Sequence, residues 1–320
     1  MRAAGLVIAA VLLLAGCAPA SPEPSPTPTP TGPRTLADLI AAVPETPGLA
    51  LDESTRAPGD GFSTVVASYP SEGLTITGLL YEPAGAGPFP AIVVVHGSVD
   101  PYTFTTGSDL VREQEALVTT GHIVFAPDLR GYGSADADPA AGTDAGVGAT
   151  ADVINAGRAL RLSGIPSLDP ARIGLLGHSL GGGDSLAAMV VAPEVFGAVV
   201  AMSPVSSRPW WVLDHYAPRD SDEFAAVVAV HGSYEDNPAH WDQLASSTFA
   251  ARATAPLLIA YGTADDPVYA TWQEHTVADW QAAGAPVELL TVEGGNHRLD
   301  PGWESAWARM LAFLDDSLGR

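Results

Sequence analysis

The feature that most limits the fold of this chain is a series of short apolar runs separated by helical patterns. Residues 91–95 are five consecutive apolar residues, which is typical of a strand buried on both faces. Further strand patterns lie at residues 123–126, 173–176, 198–201, 257–260 and 287–292. Helical patterns lie at residues 109–119, 148–162, 180–191, 271–282 and 303–318. This alternation predicts an α/β fold with a mostly parallel sheet and helices on both of its faces.

Three segments stand outside that alternation. Residues 36–43 form a short helical pattern. Residues 63–69 and 74–81 are strand-like runs joined by Pro-Ser-Glu-Gly, which predicts an antiparallel hairpin ahead of the parallel strands. Residues 203–249 contain three Trp and four Pro but only a weak core pattern. We therefore expect this segment to be a cap inserted between the sixth and seventh predicted strands.

Charge and cysteine content exclude several classes of function. The 320 residues include 37 acidic and 14 basic side chains, a net charge of -23, and every basic residue is Arg. A surface this acidic repels phosphate backbones and anionic lipid, so we expect no nucleic-acid partner. Cys17 is the single cysteine, which rules out an internal disulfide and a cysteine-based metal site. We expect neither a metal nor a cofactor.

The N-terminus reads as a targeting segment. Met1 and Arg2 supply a positive start, and residues 6–14 form an apolar run too short to span a bilayer. Leu-Ala-Gly-Cys follows and resembles a bacterial lipobox, so residues 1–16 are predicted to be a signal peptide and Cys17 the lipidated residue. The alternative is an ordinary signal peptide with an incidental cysteine. Residues 17–33 are rich in Pro, Ser and Thr, which predicts an extended tether.

Residues 34–320 would then form one folded domain. We expect it to be exported and lipid-anchored at Cys17 in the cell envelope, with no other contact with the membrane. The sequence leaves the oligomeric state open.

The motif that carries chemistry is Gly-His-Ser-Leu-Gly at residues 177–181, between a predicted buried strand and a predicted helix. This is the G-x-S-x-G pattern in the context it requires, where small residues allow a tight turn that exposes the serine. The sequence therefore predicts Ser179 as a nucleophile.

A serine nucleophile needs a base, and the base needs an orienting acid. Asp265 follows the next-to-last predicted strand, with Asp266 as an alternative acid, and His297 follows the last strand. Each candidate thus lies on a loop at the carboxyl end of a strand, where open parallel sheets place their sites.

The order Ser, Asp, His and the motifs around it resemble the α/β-hydrolase family from about residue 63 to the end of the chain. The resemblance implies that Ser179 is the nucleophile, Asp265 the acid and His297 the base. It also implies an oxyanion hole formed by the backbone N–H groups of Ser98 and Leu180, because His96-Gly97-Ser98 matches the family's turn after the first parallel strand. His96 is expected to be structural.

Within that family the chain most resembles the catalytic domain of prolyl-oligopeptidase-like and dienelactone-hydrolase-like proteins. The stretches that carry the likeness are residues 199–205, 255–259 and 283–289. It departs from the dienelactone hydrolases by having Ser179 where those enzymes have Cys. Unlike the oligopeptidases, which carry an N-terminal propeller, this chain is expected to have no propeller domain ahead of the hairpin. The elbow also resembles that of cutinase-like polyester hydrolases, although those usually have disulfides.

We therefore expect a hydrolase that cleaves small carboxylic esters through an acyl-enzyme. The alternatives are an aminopeptidase or amidase with the same triad, a cutinase-like polyester hydrolase, or a non-catalytic binding protein on this scaffold. His178, Trp210 and Trp211 are candidates for the substrate pocket. Asp184 is expected to be buried and paired, with Arg130 as a candidate partner.

Overall fold

The computed structural model describes residues 33–320 and contains a single nine-stranded sheet within that range. Its strands are β1 (Ala50–Pro58), β2 (Phe62–Ser71), β3 (Leu74–Pro83), β4 (Phe89–Val95), β5 (Ile123–Pro127), β6 (Leu168–His178), β7 (Ala198–Met202), β8 (Leu257–Gly262) and β9 (Val287–Val292). Their spatial order is β1-β2-β3-β5-β4-β6-β7-β8-β9. β1 to β3 and the β3–β5 pair are antiparallel, and all pairs from β5 through β9 are parallel. The α/β-hydrolase fold predicted from the sequence is confirmed.

The helices cover both faces of this sheet. They are α1 (Leu36–Ala41), α2 (Val111–Thr119), α3 (Val147–Leu162), α4 (Leu180–Val191), α5 (Pro209–Tyr216), α6 (Asp222–His231), α7 (Pro238–Leu244), α8 (Ala270–Ala282) and α9 (Trp303–Leu318). A 3-10 helix, Ser246–Arg252, follows α7. Among these helices of residues 33–320, none has both the length and the apolar character needed to cross a bilayer.

Side chains of the central strand β4 show how the two faces are filled. Val93 and Val95 belong to the core cluster that includes α3 and α4. Ile92 and Val94 belong to the opposite cluster, which includes α2 and α9. Because helices cover both faces of the sheet, every one of these positions is apolar. This explains the continuous apolar run from which the sequence predicted a strand buried on both faces.

Strand β1 was not predicted from the sequence. It lies at the edge of the sheet, pairs with β2 alone, and almost all of its residues are exposed. A strand of this kind buries no face, so its sequence carries no apolar alternation to detect. The predicted hairpin is present, but β2 and β3 are longer than expected and meet at a two-residue turn, Glu72-Gly73, with both residues at positive φ.

The predicted cap lies between β7 and β8 and consists of α5, α6, α7 and the 3-10 helix. Its own core is aromatic: the ring of Trp210 packs against those of Phe224, Tyr234 and Trp241. The predicted signal peptide, Cys17 and the tether up to residue 32 lie outside the described residues.

Candidate active site

Ser179 lies at the turn between β6 and α4 with a φ of 56°, a conformation that is costly for a residue with a side chain. Two glycines make the turn possible. A Cβ on Gly177 would lie 2.2 Å from the Gly181 carbonyl oxygen, and a Cβ on Gly181 would lie 2.3 Å from the His96 carbonyl oxygen. The backbone of Ser179 is held from the neighbouring strand, because its N–H donates to the Met202 carbonyl at 3.0 Å. The sequence motif therefore forms a strained elbow at the carboxyl edge of the sheet.

The candidate acid and base are hydrogen-bonded to each other. The Nδ1 atom of His297 lies 2.9 Å from Oδ2 and 3.1 Å from Oδ1 of Asp265. The Asp265 side chain is 2% exposed, and its Oδ1 also accepts the Val268 N–H at 3.0 Å. Asp266, the alternative acid, is exposed. The structure thus places Asp265, and not Asp266, against His297.

The loops that carry Asp265 and His297 are packed tightly together. A Cβ on Gly262 would lie 2.0 Å from the Gly295 carbonyl oxygen, so only glycine fits between the two backbones. The same carbonyl accepts the Ala264 N–H at 2.9 Å. Within residues 33–320 the Ser179 hydroxyl makes no hydrogen bond, to His297 or elsewhere. In hydrolases this contact commonly tightens only when the substrate is bound.

His178 supports the His297 loop and is not among the residues that line the cavity described below. Its Nε2 lies 3.0 Å from the His297 carbonyl oxygen, which can only accept, so Nε2 carries the hydrogen. The two imidazole rings are 4.6 Å apart. Burial, with help from the positive charges of Arg298 and His297, lowers the pKa of His178 to about 3. His178 is therefore a neutral donor that fixes the backbone of the candidate base.

Asp109 and Arg298 form a second support that the sequence did not predict. Asp109 Oδ2 accepts the Gly97 N–H at 3.2 Å, and its Oδ1 accepts from the Arg298 guanidinium at 2.6 Å. Burial alone would raise the pKa of Asp109, but the Arg298 contact and the Gly97 hydrogen bond outweigh it and lower that pKa. One carboxylate thus joins the turn after β4 to the residue that follows His297.

The turn after β4 contacts the elbow. A Cβ on Gly97 would lie 3.1 Å from Ser179 Cβ, so the two turns touch. Ser98 follows Gly97 and is exposed, and Leu180 is the first residue of α4. The helix N-terminus leaves its first N–H groups without intrahelical acceptors. His96 is buried, and its ring nitrogens lie 2.7 Å from the Gly97 and Asp128 carbonyl oxygens, which is a structural role.

A cavity of about 560 Å³ opens beside these turns and is lined by Gly97 and Leu180 together with cap residues, Trp241 among them. Trp210 and Trp211, proposed from the sequence as pocket walls, are not part of this lining. Trp210 packs inside the cap, and the ring of Trp211 packs against His275 of α8 at 5.1 Å. The apolar lining of the cavity includes Val212 and Leu213 of α5 as well as Trp241.

The same cavity contains carboxyl groups. Asp144, Asp184 and Glu223 are in its lining. Asp184 is 6% exposed, and its Oδ2 atom is buried without a hydrogen-bond partner among residues 33–320. The prediction that Asp184 pairs with an arginine is wrong, because Arg130 is already occupied.

Arg130 makes its contacts with other carboxylates. It binds Asp152 at 2.8 Å, Asp138 at 2.7 Å and Glu72 at 3.1 Å. These contacts hold the β2–β3 turn, the loop after β5 and α3 together. Among the described residues, no group of three or more His, Cys, Asp and Glu side chains is placed to hold a metal ion.

Comparison with known proteins agrees with this geometry. The sequence model of the prolyl oligopeptidase family matches residues 108–320, which include Ser179, Asp265 and His297. The chain belongs to the prolyl oligopeptidase family. An uncharacterised protein of Mycobacterium tuberculosis is 30% identical over 247 residues, covering 72% of this chain and 70% of that protein.

Solved structures with the same fold include both esterases and peptidases. The acetyl xylan esterase from Paenibacillus sp. R4 superposes with a TM-score of 0.65 at 19% identity, covering 88% of this chain and 92% of the esterase. Dipeptidyl peptidase 4 of Porphyromonas gingivalis gives a TM-score of 0.63 at 20% identity, covering 80% of this chain. This member of the prolyl oligopeptidase family spans only 36% of the length of that peptidase. The chain is thus a serine hydrolase by family, with ester and peptide bonds both open as its substrates.

Proposed function

We propose that this chain hydrolyses carboxylic esters through an acyl-enzyme, with Ser179, Asp265 and His297 as its triad. The observation that carries the proposal is the buried Asp265 carboxylate bound to His297 Nδ1, on a loop that faces the Ser179 elbow. This bond selects the tautomer with hydrogen on Nδ1. The Nε2 atom of His297 is then free to accept the serine proton.

In the proposed reaction, Ser179 Oγ attacks the ester carbonyl carbon while His297 Nε2 takes the hydroxyl proton. The carbonyl oxygen becomes an oxyanion that accepts from the backbone N–H groups of Ser98 and Leu180. As the tetrahedral intermediate collapses, His297 returns its proton to the leaving alkoxide, which departs as the alcohol. Water then attacks the acyl-enzyme with His297 as base, and the acid is released while Ser179 regains its proton.

Two observations favour esters over peptides. The cavity walls are largely apolar, which suits an acyl chain. The chain also matches the acetyl xylan esterase over 92% of that enzyme's length, but the dipeptidyl peptidase over only 36% of its length. The nitrogen of a peptide bond is a poorer leaving group than an alkoxide, so peptide cleavage depends more strongly than ester cleavage on proton transfer from His297.

A fluorophosphonate probe tests the nucleophile directly. We expect the probe to label the wild-type protein at Ser179 and to leave Ser179→Ala unlabelled. Hydrolysis of p-nitrophenyl acetate should fall by about 10⁴-fold or more in Ser179→Ala and His297→Ala. Labelling at another residue, or full activity in either variant, would rule out this triad.

Peptide-bond hydrolysis is the second candidate, and the match to a family of oligopeptidases favours it. A panel of short-chain acyl esters and aminoacyl anilides separates the two. We expect kcat/KM to be higher for the esters by at least about tenfold, or about 1.4 kcal/mol in transition-state binding. Anilides cleaved as well as the esters would assign the protein to the peptidases.

We also propose that the protein is exported and anchored to a membrane through acylated Cys17. The proposal rests on the positive start, the apolar run and the Leu-Ala-Gly-Cys sequence. Mass spectrometry of the mature protein should find a diacylglycerol-modified Cys17 at the N-terminus, and Cys17→Ser should lack it. An unmodified N-terminus at another residue would contradict the anchor.

A further inference from the structure

We infer that the cavity beside Ser179 contains a subsite for a protonated primary amine of the substrate, recognised by Asp184. This inference rests on the proposed function, since it names a group that the hydrolysed molecule carries. Asp184 is five residues beyond Ser179 on α4, in the wall of the same cavity that Gly97 and Leu180 line.

The burial of Asp184 is the first step of the argument. The residue is 6% exposed, and its Oδ2 atom has no hydrogen-bond partner among the described residues. A buried carboxyl without a partner is costly, because it has lost the hydrogen bonds of water without replacing them. The cavity wall thus holds a carboxyl group to which a ligand could bring a donor.

Charge decides which donor fits. Asp144 and Glu223 line the cavity together with Asp184. Among the residues of the described range 33–320 that line this cavity, Arg130 is the one with a cationic side chain. The Arg130 guanidinium is already bound to Asp152, Asp138 and Glu72, so it cannot neutralise Asp184 as well. An anionic group would be repelled here, whereas an ammonium would supply both a positive charge and three donors.

The protonation of Asp184 would change when an amine binds. Burial, and then the charges of Asp144 and Asp152, raise its pKa well above the usual range. A bound ammonium opposes this effect by favouring the carboxylate. Tyr132 also lines the cavity and offers an aromatic wall, a further feature that suits a cation.

Distance along α4 sets the position of the amine. Leu180 and Asp184 are one helical turn apart, a rise of about 6 Å. With the scissile carbonyl near the Leu180 N–H, the amine would lie several atoms from the reacting carbon. This is the geometry of an ω-amino acyl chain, so p-nitrophenyl 6-aminohexanoate is the test substrate and p-nitrophenyl hexanoate its neutral partner.

The test compares these two esters in the wild-type protein, in Asp184→Asn and in Asp266→Asn. Asp266→Asn is the matched control, because it removes one negative charge from an exposed position outside the cavity lining. We expect the wild type and Asp266→Asn to prefer the amino ester in kcat/KM by about tenfold or more, the strength of one charge-assisted hydrogen bond. Asp184→Asn should lose this preference.

A binding experiment separates this inference from the proposed function. Calorimetry with n-pentylamine and n-pentanol on the Ser179→Ala variant needs no hydrolysis, and the amine should bind at least about tenfold more tightly. Selective amine binding without hydrolysis or probe labelling would support the subsite and reject the proposed function. Equal binding of amine and alcohol, or a preference that survives in Asp184→Asn, would overturn the subsite. If Asp184→Asn does not fold, equal binding of amine and alcohol by Ser179→Ala still overturns the subsite.

Discussion

The exchange of Asp265 for Asn tests the triad most sharply, because the structure predicts which way the new amide will turn. Oδ1 of Asp265 accepts the Val268 N–H at 3.0 Å. An asparagine must put its oxygen there to keep that bond, so its NH₂ group takes the place of Oδ2. That group then lies about where Oδ2 now lies, 2.9 Å from His297 Nδ1, and donates to it.

This donation would force His297 into the tautomer with hydrogen on Nε2. Such a ring cannot accept the Ser179 proton, and no carboxylate remains to stabilise the imidazolium. The same exchange in a serine protease lowers kcat by about 10⁴-fold, and we expect a similar loss here, about 5.4 kcal/mol in the activation free energy.

The assay is the hydrolysis of p-nitrophenyl acetate, with fluorophosphonate labelling to count active sites. Asp266→Asn is the control, since Asp266 is the adjacent residue, is exposed and loses the same charge. It should keep kcat within about twofold, in line with the small effects of exposed charges. A larger loss in Asp266→Asn than in Asp265→Asn would show that the acid has been assigned wrongly.

Two further predictions concern the stability of the site. Burial lowers the pKa of His178 from 6.5 to about 3. Below pH 6.5, His178 is therefore protonated in the unfolded chain but stays neutral in the folded protein. Stability is therefore lost as the pH falls, by about 2 kcal/mol between pH 8 and pH 5, and denaturant titrations should show that this loss is absent in His178→Gln. A Cβ on Gly177 would lie 2.2 Å from the Gly181 carbonyl, whereas one on Gly48 meets nothing within 4 Å. Gly177→Ala should therefore lower the unfolding free energy by about 3 kcal/mol or prevent folding, with Gly48→Ala near neutral; equal stability of the two variants would contradict the tight elbow.

The parallel part of the fold could be predicted from the sequence because its causes are local. Strands buried on two faces must be apolar throughout, and α4 and α9 have apolar patterns that run their full length. β1 escaped prediction because an exposed edge strand is specified by its pairing with β2 and not by its own residues.

The candidate triad could be predicted from the sequence for a similar reason, since each of its residues follows a strand within a short motif. The residues that hold the triad in position could not be predicted from the sequence. His178 donates to a backbone carbonyl 119 residues away, and a carbonyl is present in every residue, so no sequence pattern reports the contact. The isolation of Asp184 was missed because Arg130 was counted as available, whereas the fold brings three other carboxylates to it.

The position of Asp109 has a consequence for the effects of mutations in the loops of the site. Its two oxygens bind the Gly97 N–H and the Arg298 guanidinium, so the loop of the proposed oxyanion hole and the loop of the proposed base share one anchor. Loosening that anchor would misalign both catalytic tasks at once. The energetic effects of mutations in the two loops should therefore be coupled and not additive, while changes in the cap, which does not use this anchor, should combine with them independently. Substrate selectivity can then vary through the cap while the chemistry remains intact.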